Sequence, residues 1–307
     1  MHNFEYQQGE LYCEQVPLSR IAKQVGTPCY VYSHATLVRH IRAYDRAFEG
    51  IPHLLAFAMK ANSNLAILRL MAKEGSGVDI VSGGELFRAL KAGVPASKIV
   101  FAGVGKSAEE IREALKAGIL MFNVESSAEM LAINDVAASI GTVAPVALRI
   151  NPDIDPKTHP YISTGLKKSK FGIAAERALE EFRVASILRH INVVGVHAHI
   201  GSQLTEVTPF VESLKKVLAL VDTLKAQGIT IRYLNIGGGL GITYSDEKPP
   251  LPHELAEAVS PLLKGWDLTL VMEPGRVIVG NAGILVTKAL YEKIGESKRF
   301  IIVDAAM

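Results

Sequence analysis

The chain has 307 residues, 49% hydrophobic and 21% charged, which suits one large buried core with room for a smaller second unit. A formal net charge of +2 gives no electrostatic footing for nucleic acid or an anionic membrane, and no charge-free apolar stretch reaches the length of a spanning helix. Two cysteines, Cys13 and Cys29, are too few for a disulfide scaffold or a cysteine metal site, and the start MHNFEYQQGE has no signal-peptide pattern, so a cytoplasmic metabolic protein is the default expectation.

In chain order, the N-terminal region holds one strand-like piece, PCYVYS. From about residue 54 to 274, eight short apolar runs follow: LLAFAMK, VDIVS, IVFAG, MFNVES, PVALRIN, VVGVHAHIG, YLNIGGG and LTLVMEPG. They are rich in Val, Ile and Leu and mostly lack polar alternation, as strands buried on both faces should. Between them lie amphipathic segments such as NLAILRLMAKEG, GGELFRALKAG, SAEEIREALKAG and FVESLKKVLALVDTLKAQG, several closing on a glycine that suits a helix stop. Each of the first seven runs is followed by a helical candidate, so the pattern predicts an α/β fold, a (β/α)8 TIM-type barrel over residues 35–275. A doubly wound open sheet is the alternative, because periodicity does not show closure. Residues 1–34 and 276–307 fall outside the alternation; with GILVTKALYEKI and RFIIVDAAM they read as part of a second β domain, cut short at Met307.

If the barrel holds, its carboxyl-terminal rim collects the polar residues that interrupt or end these runs. Lys60 ends the first run, where a charged ammonium is costly to bury unless something uses it. Asp79 lies in the second strand, Arg149 and Asn151 close the fifth, and His197 and His199 lie on the sixth, followed by Gly201, Ser202 and Gln203. Gly237, Gly238, Gly239 and Gly241 follow the seventh, where side-chain-free backbone can approach a phosphate closely. Glu273, Gly275 and Arg276 follow the eighth. The HxH spacing puts both imidazoles on one side of a strand, as a metal pair or as a flat ring over a cofactor; His197 reads as a buried, satisfied core residue and His199 as the functional one. A buried Glu273 needs a cationic partner, either Arg276 in a structural pair or a protonated ring nitrogen, and Arg276 is suited to clamp a phosphate or carboxylate. Lysine, imidazole, glycine loop and ring-facing carboxylate together describe a pyridoxal phosphate site.

The stretches FAMKAN, GVDIVSGGEL, RINPDIDPKTHPYISTGLKKSKFGI, GVHAHIGSQ, NIGGGLG and MEPGR resemble the diaminopimelate decarboxylases, of the alanine-racemase-like barrel class of pyridoxal-phosphate enzymes. Several are shared with ornithine and arginine decarboxylases; the segment from Arg149 to Gly172 is more particular to the diaminopimelate branch. The resemblance implies decarboxylation of meso-2,6-diaminopimelate to L-lysine and carbon dioxide, with pyridoxal 5'-phosphate carried on Lys60. It implies His199 stacked on the pyridine face, Ser202 and Gly237 to Gly239 on the phosphate, and Glu273 at the ring nitrogen. Gly275 lines the same site, Arg276 reaches phosphate or substrate carboxylate, and Asp79 orients Lys60, which acts as a base when its pKa is depressed. It also implies a homodimer with an amino-acid substrate and no metal. The family continues past the position of Met307 with a β domain carrying a CESGD-like cysteine motif that this sequence lacks, so impaired catalysis is expected of this chain. The alternatives are an ornithine, arginine or carboxynorspermidine decarboxylase, a non-catalytic cofactor-binding relative, and, weakest, a metal-dependent barrel hydrolase.

Overall fold

The structure is a computed structural model that describes residues 2–154 and 170–305. The chain divides into two compact units, one of residues 42–277 and one built from Met1–Ile41 with Ile278–Met307.

The larger unit is a closed parallel barrel. Its strands are β1 (His53–Ala58), β2 (Gly77–Ile80), β3 (Ile99–Phe101), β4 (Met121–Val124), β5 (Ala144–Asn151), β6 (Ile191–His197), β7 (Tyr233–Asn235) and β8 (Thr269–Met272). Each pairs in parallel with the next, and β8 returns to β1 through Leu270 opposite His53 and Met272 opposite Leu55. That last pairing excludes the open sheet and bears out the (β/α)8 expectation. The two-residue strand Ile173–Ala174 adds to the end of β5.

The connecting helices are α1 (Leu65–Lys73), α2 (Gly83–Ala92), α3 (Ala108–Ala117), α4 (Ser127–Ser139), α5 (Ala178–Ile187), α6 (Thr208–Ala226) and α7 (Pro252–Leu263). Their starts follow local chemistry: the side chains of Asn64, Ser82, Ser107 and Ser126 accept from backbone N–H groups that have no partner inside the helix. Ser107 and Glu110 complete a reciprocal capping box. α2 and α3 stop where Gly93 and Gly118 turn into the left-handed region.

Strand register decides what each level of the barrel contains. Ala56, Val100, Met121, Ala147, Val194 and Val271, contributed by six strands, form a dry interior cluster. At the carboxyl ends polar residues replace this filling: Arg149 lies opposite His197, His197 opposite Asn235, and Ala58 opposite Asp79. The fold thereby places the polar ends of distant segments beside one another, above a hydrophobic floor.

In the other unit, Phe4–Gln7, Glu10–Cys13 and Val16–Pro17 form an antiparallel sheet. Cys29–Tyr32 pairs antiparallel with Gly283–Val286, and Ala289–Ile294 with Arg299–Val303. Both terminal segments thus contribute strands to this unit, and Thr27, Thr287 and the Lys288 N–H all donate to Asp304. Those donors hold its carboxyl down at about 2. The hairpin Phe4–Cys13 had no signal recognised in the sequence. Its side chains are mostly exposed or half-buried; Phe4 and Cys13 are buried in the small core with Val31, and the half-buried Leu11 packs against them.

Met121 is fully buried in the barrel interior. Met121→Ala deletes buried atoms from this layer and leaves a cavity, so urea denaturation should report a loss of about 2–5 kcal/mol.

Candidate active site

The first strand runs directly into a short 3-10 turn, Met59–Ala61, which carries Lys60 to the rim. Gly275 permits this closeness: a Cβ there would lie 3.2 Å from that of Ala58 and 3.3 Å from that of Ala61. The Lys60 Nζ donates to Asp79 Oδ2 at 2.9 Å; the lysine side chain is 56% exposed and that of Asp79 is wholly buried. The Asp79 carboxylate raises the Lys60 pKa, outweighing burial, and the Glu273 charge adds to the effect. In the cofactor-free chain Lys60 is held charged, because a carboxylate lies within reach of its ammonium. Asp79 is pushed up to about 7, by burial first and then by the charge of Glu273, against the opposing pull of Lys60. Its Oδ1 is buried without a hydrogen-bond partner.

Glu273 sits just past β8, and its partners come from three other strands. Its Oε1 accepts from Asn123 Nδ2 at 3.0 Å and from Asn235 Nδ2 at 2.6 Å. Its Oε2 lies 3.5 Å from His197 Nε2. Burial alone would raise this carboxyl, yet the His197 ring, the Lys60 charge and the Asn235 amide overcome burial and hold it below the usual range. Glu273 therefore has partners other than Arg276, and the structural Glu273–Arg276 pair weighed from the sequence does not form. His197, expected to be a satisfied core residue, is buried with both ring nitrogens lacking a hydrogen bond and with its ring against Glu273.

β6 ends at His197, so His199 is two residues beyond the strand. The half-buried His199 accepts from the Gly238 N–H through Nδ1 at 3.3 Å, which assigns its ring proton to Nε2. Burial, then Arg149 and Lys60, hold its pKa well below the ordinary histidine value, and the ring is neutral. Gly237 donates its N–H to Asn235 Oδ1 at 2.8 Å. Two of the glycine N–H groups expected to face an anion are thus engaged within the chain. The glycines matter for their missing side chains: a Cβ on Gly238 would lie 2.1 Å from the Glu273 carbonyl oxygen, and one on Gly239, at φ +122°, 2.5 Å from that of Gly201. Beside this loop Arg276 donates to Ser202 Oγ at 3.2 Å and to the Tyr244 hydroxyl, while its Nε is buried without a partner.

Arg149, whose charge reaches His199 and Lys60, makes its own contacts elsewhere. It donates to Glu125 Oε1 at 2.7 Å and lies 4.7 Å from the Phe171 ring centre, while Glu125 Oε2 accepts the Gly172 N–H. Asn151 Oδ1 accepts from the Asp153 N–H. Of the segment read as particular to one branch, residues 155–169 lie outside the described residues. A groove of about 840 Å³, lined by Pro52, Trp266, Leu270 and α7 residues, holds none of these groups. Among the described residues no cluster of three or more His, Cys, Asp or Glu side chains is placed to hold a metal ion, and no helix is long and apolar enough to cross a membrane.

The family described as "Pyridoxal-dependent decarboxylase, pyridoxal binding domain" matches residues 34–280. Diaminopimelate decarboxylase of Pseudomonas aeruginosa is 53% identical over 307 residues, which is all of this chain and 74% of that protein. That of Vibrio cholerae is 53% identical over 309 residues, with the same two coverages. The chain belongs to the diaminopimelate decarboxylase family. The crystal structure of the Helicobacter pylori family member, complexed with L-lysine, matches with a TM-score of 0.90 and 46% identity over 94% of this chain and 73% of that one. A lysine/ornithine decarboxylase from Vibrio vulnificus, at 22% identity and a TM-score of 0.81, shares the fold.

The residues present suit the pyridoxal cofactor of such decarboxylases. Lys60 offers an amine at the rim, Glu273 an ionised carboxylate with Oε2 free of amide donors, and His199 a neutral flat ring. Arg276 offers a buried Nε without a partner beside a loop that excludes any Cβ. Asn123, Asn235 and Tyr244 went unrecognised in the sequence, as did Lys106, whose buried Nζ meets Glu129, Gly103 O and Asn123 O and so ties the loop after β3 to β4. Asn123 and Asn235 carried the same signal as Lys60: a lone polar side chain inside an apolar run, which needs a buried partner.

In the cofactor-free chain the Asp79 carboxyl should titrate near 7 by 13C NMR. Glu273→Gln should lower that midpoint and Lys60→Ala should raise it. Because the folded value lies above the unfolded one, the contribution of Asp79 to stability is complete below about pH 4 and lost as the pH rises through about 7. Asp79→Asn should flatten the fall in urea midpoint between about pH 4 and about pH 7.

Proposed function

We propose that this chain binds pyridoxal 5'-phosphate through Lys60 and decarboxylates meso-2,6-diaminopimelate to L-lysine and carbon dioxide. The observation that carries this reading is the meeting of Lys60, Glu273 and Arg276 at one barrel mouth in a chain 53% identical to diaminopimelate decarboxylases. Residues 35–275 form the cofactor-binding barrel in this reading.

When bound, the cofactor supplies an electron-withdrawing ring that accepts the electron pair left by the departing carboxylate. The protein positions and tunes that ring. Lys60 would hold the cofactor through Nζ, and its contact with Asp79 suits it to carry a proton. Asp79, with its carboxyl near neutrality, orients Lys60 and exchanges a proton with it. Glu273, ionised and aimed by two amides, would hold a proton on the ring nitrogen. His199 would pack its neutral ring on the cofactor face, and Ser202, Gly237 to Gly239, Gly275 and Arg276 would bound the phosphate, with Arg276 also suited to a substrate carboxylate. A cytoplasmic homodimer accompanies this reading, as the family resemblance implies, and sedimentation of the native protein measures it.

Purified protein with pyridoxal phosphate should show a visible band that borohydride fixes on Lys60, and Lys60→Ala should lack it. Glu273→Gln should keep the covalent bond and lower kcat by on the order of 10²–10³-fold, as loss of a charge aimed at the reacting group does. The protein as its gene encodes it should release carbon dioxide from meso-diaminopimelate in preference to ornithine, arginine or carboxynorspermidine; preference for ornithine overturns the substrate.

A further inference from the structure

Three residues at the ends of β7 and β8 close a ring of hydrogen bonds. Glu273 donates its backbone N–H to the Gly237 carbonyl at 2.8 Å. Gly237 donates its own N–H to Asn235 Oδ1 at 2.8 Å, and Asn235 Nδ2 donates to Glu273 Oε1 at 2.6 Å. The direction of every bond is determined. Asn235 faces an N–H with one end of its amide and a carboxylate with the other, so reversing the amide would set two donors and two acceptors against each other. Asn235 is fully buried, so no water substitutes for either partner.

We infer that Asn235 is a positioning residue that couples the carboxylate facing the cofactor ring to the glycine loop facing its phosphate. The inference rests on the pyridoxal phosphate reading. One small side chain holds both contacts in register: a displaced glycine loop pulls the amide, and the amide pulls Glu273 Oε1. It also sorts the two carboxylate oxygens. Oε1 takes both amide donors, which leaves Oε2, beside His197, to meet the ring nitrogen. Asn123 supplies an internal control: it donates to the same Oε1 at 3.0 Å and has no hydrogen bond to the glycine loop.

The test uses three variants and two readouts on the loaded protein. The first readout is the 15N shift of ring-labelled pyridoxal phosphate, which reports ring protonation. The second is the ratio of the Kd of pyridoxal to that of pyridoxal phosphate, which reports the phosphate loop. Asn235→Leu breaks both links and should shift the 15N signal and lower the ratio by about tenfold, the effect of one buried hydrogen bond left unmade. Asn235→Asp keeps an acceptor for the Gly237 N–H but sets a second carboxylate against Glu273; it should shift the 15N signal and hold the ratio within about threefold. Asn123→Leu should do the same. In the cofactor-free chain, Asn235→Leu should also raise the titration midpoint of the Glu273 carboxyl by 13C NMR.

A ratio unchanged in Asn235→Leu, or lowered as far in Asn123→Leu, overturns the coupling, as does a 15N signal untouched by Asn235→Asp. If Asn235→Leu fails to fold by near-ultraviolet circular dichroism, Asn235→Ala, which breaks the same two links, takes its place under the same criteria. A wild-type protein that forms no borohydride-stable bond at Lys60 overturns the cofactor reading instead, whatever the variants do.

Discussion

Two carboxylates, Asp79 and Glu273, share one buried barrel mouth, and the structure gives only one of them the donors to stay ionised. Glu273 has two amide donors and the His197 ring; Asp79 has Lys60 and an Oδ1 without a partner. Their titrations separate accordingly, Glu273 downward and Asp79 up to about 7, and the charge of the first is one cause of the rise in the second. Pairs of acids driven apart in this way divide labour, one serving as a fixed charge and the other as a proton exchanger. Lys60 stands on the exchanging side, in contact with Asp79; in the proposed reading the ring nitrogen of the cofactor would take the fixed-charge side.

This arrangement depends on closure. Asn123, Asn235, His197 and Glu273 end four different strands, and Asn123 and Glu273 are 150 positions apart in the chain. A parallel sheet puts the carboxyl ends of its strands at one edge, and closing it turns that edge into a ring. An interior layer of small and branched apolar residues sets the floor below, so polar side chains above have only one another and a ligand as partners. The cost of burying them unpaired is what makes their geometry definite.

Further out, the rim is held by buried ion pairs. Lys106 with Glu129 ties the loop after β3 to α4, and Arg149 with Glu125 ties the end of β5 to the loop after β4; the Glu129 carboxylate also accepts the Glu125 N–H, which links the two pairs. These contacts are a support for the site rather than part of its chemistry. Breaking one partner of such a pair leaves an uncompensated buried charge, so they act as constraints on the rim more than as sources of net stability.

Much of this was legible in the sequence. Eight apolar runs with helices between them point to a parallel α/β sheet, because strands buried on both faces lack alternation, and the residues that interrupt the runs fall at one edge of it; closure of that sheet came only from the pairing of β8 with β1. Lys60, Glu273 and Arg276 were recognisable because a charge at the end of an apolar run demands a reason. Partnership was not legible. From the chain alone Glu273 was as free to pair with Arg276, three residues away, as with Asn123 or Asn235, and His197 was as good a core residue as a neighbour of a carboxylate. Backbone hydrogen bonds set which strand ends meet and at what level, and those bonds carry no side-chain identity. The sequence by itself therefore determined the elements and the types of group at the rim; only the tertiary structure, through closure and register, decided which acid keeps its charge.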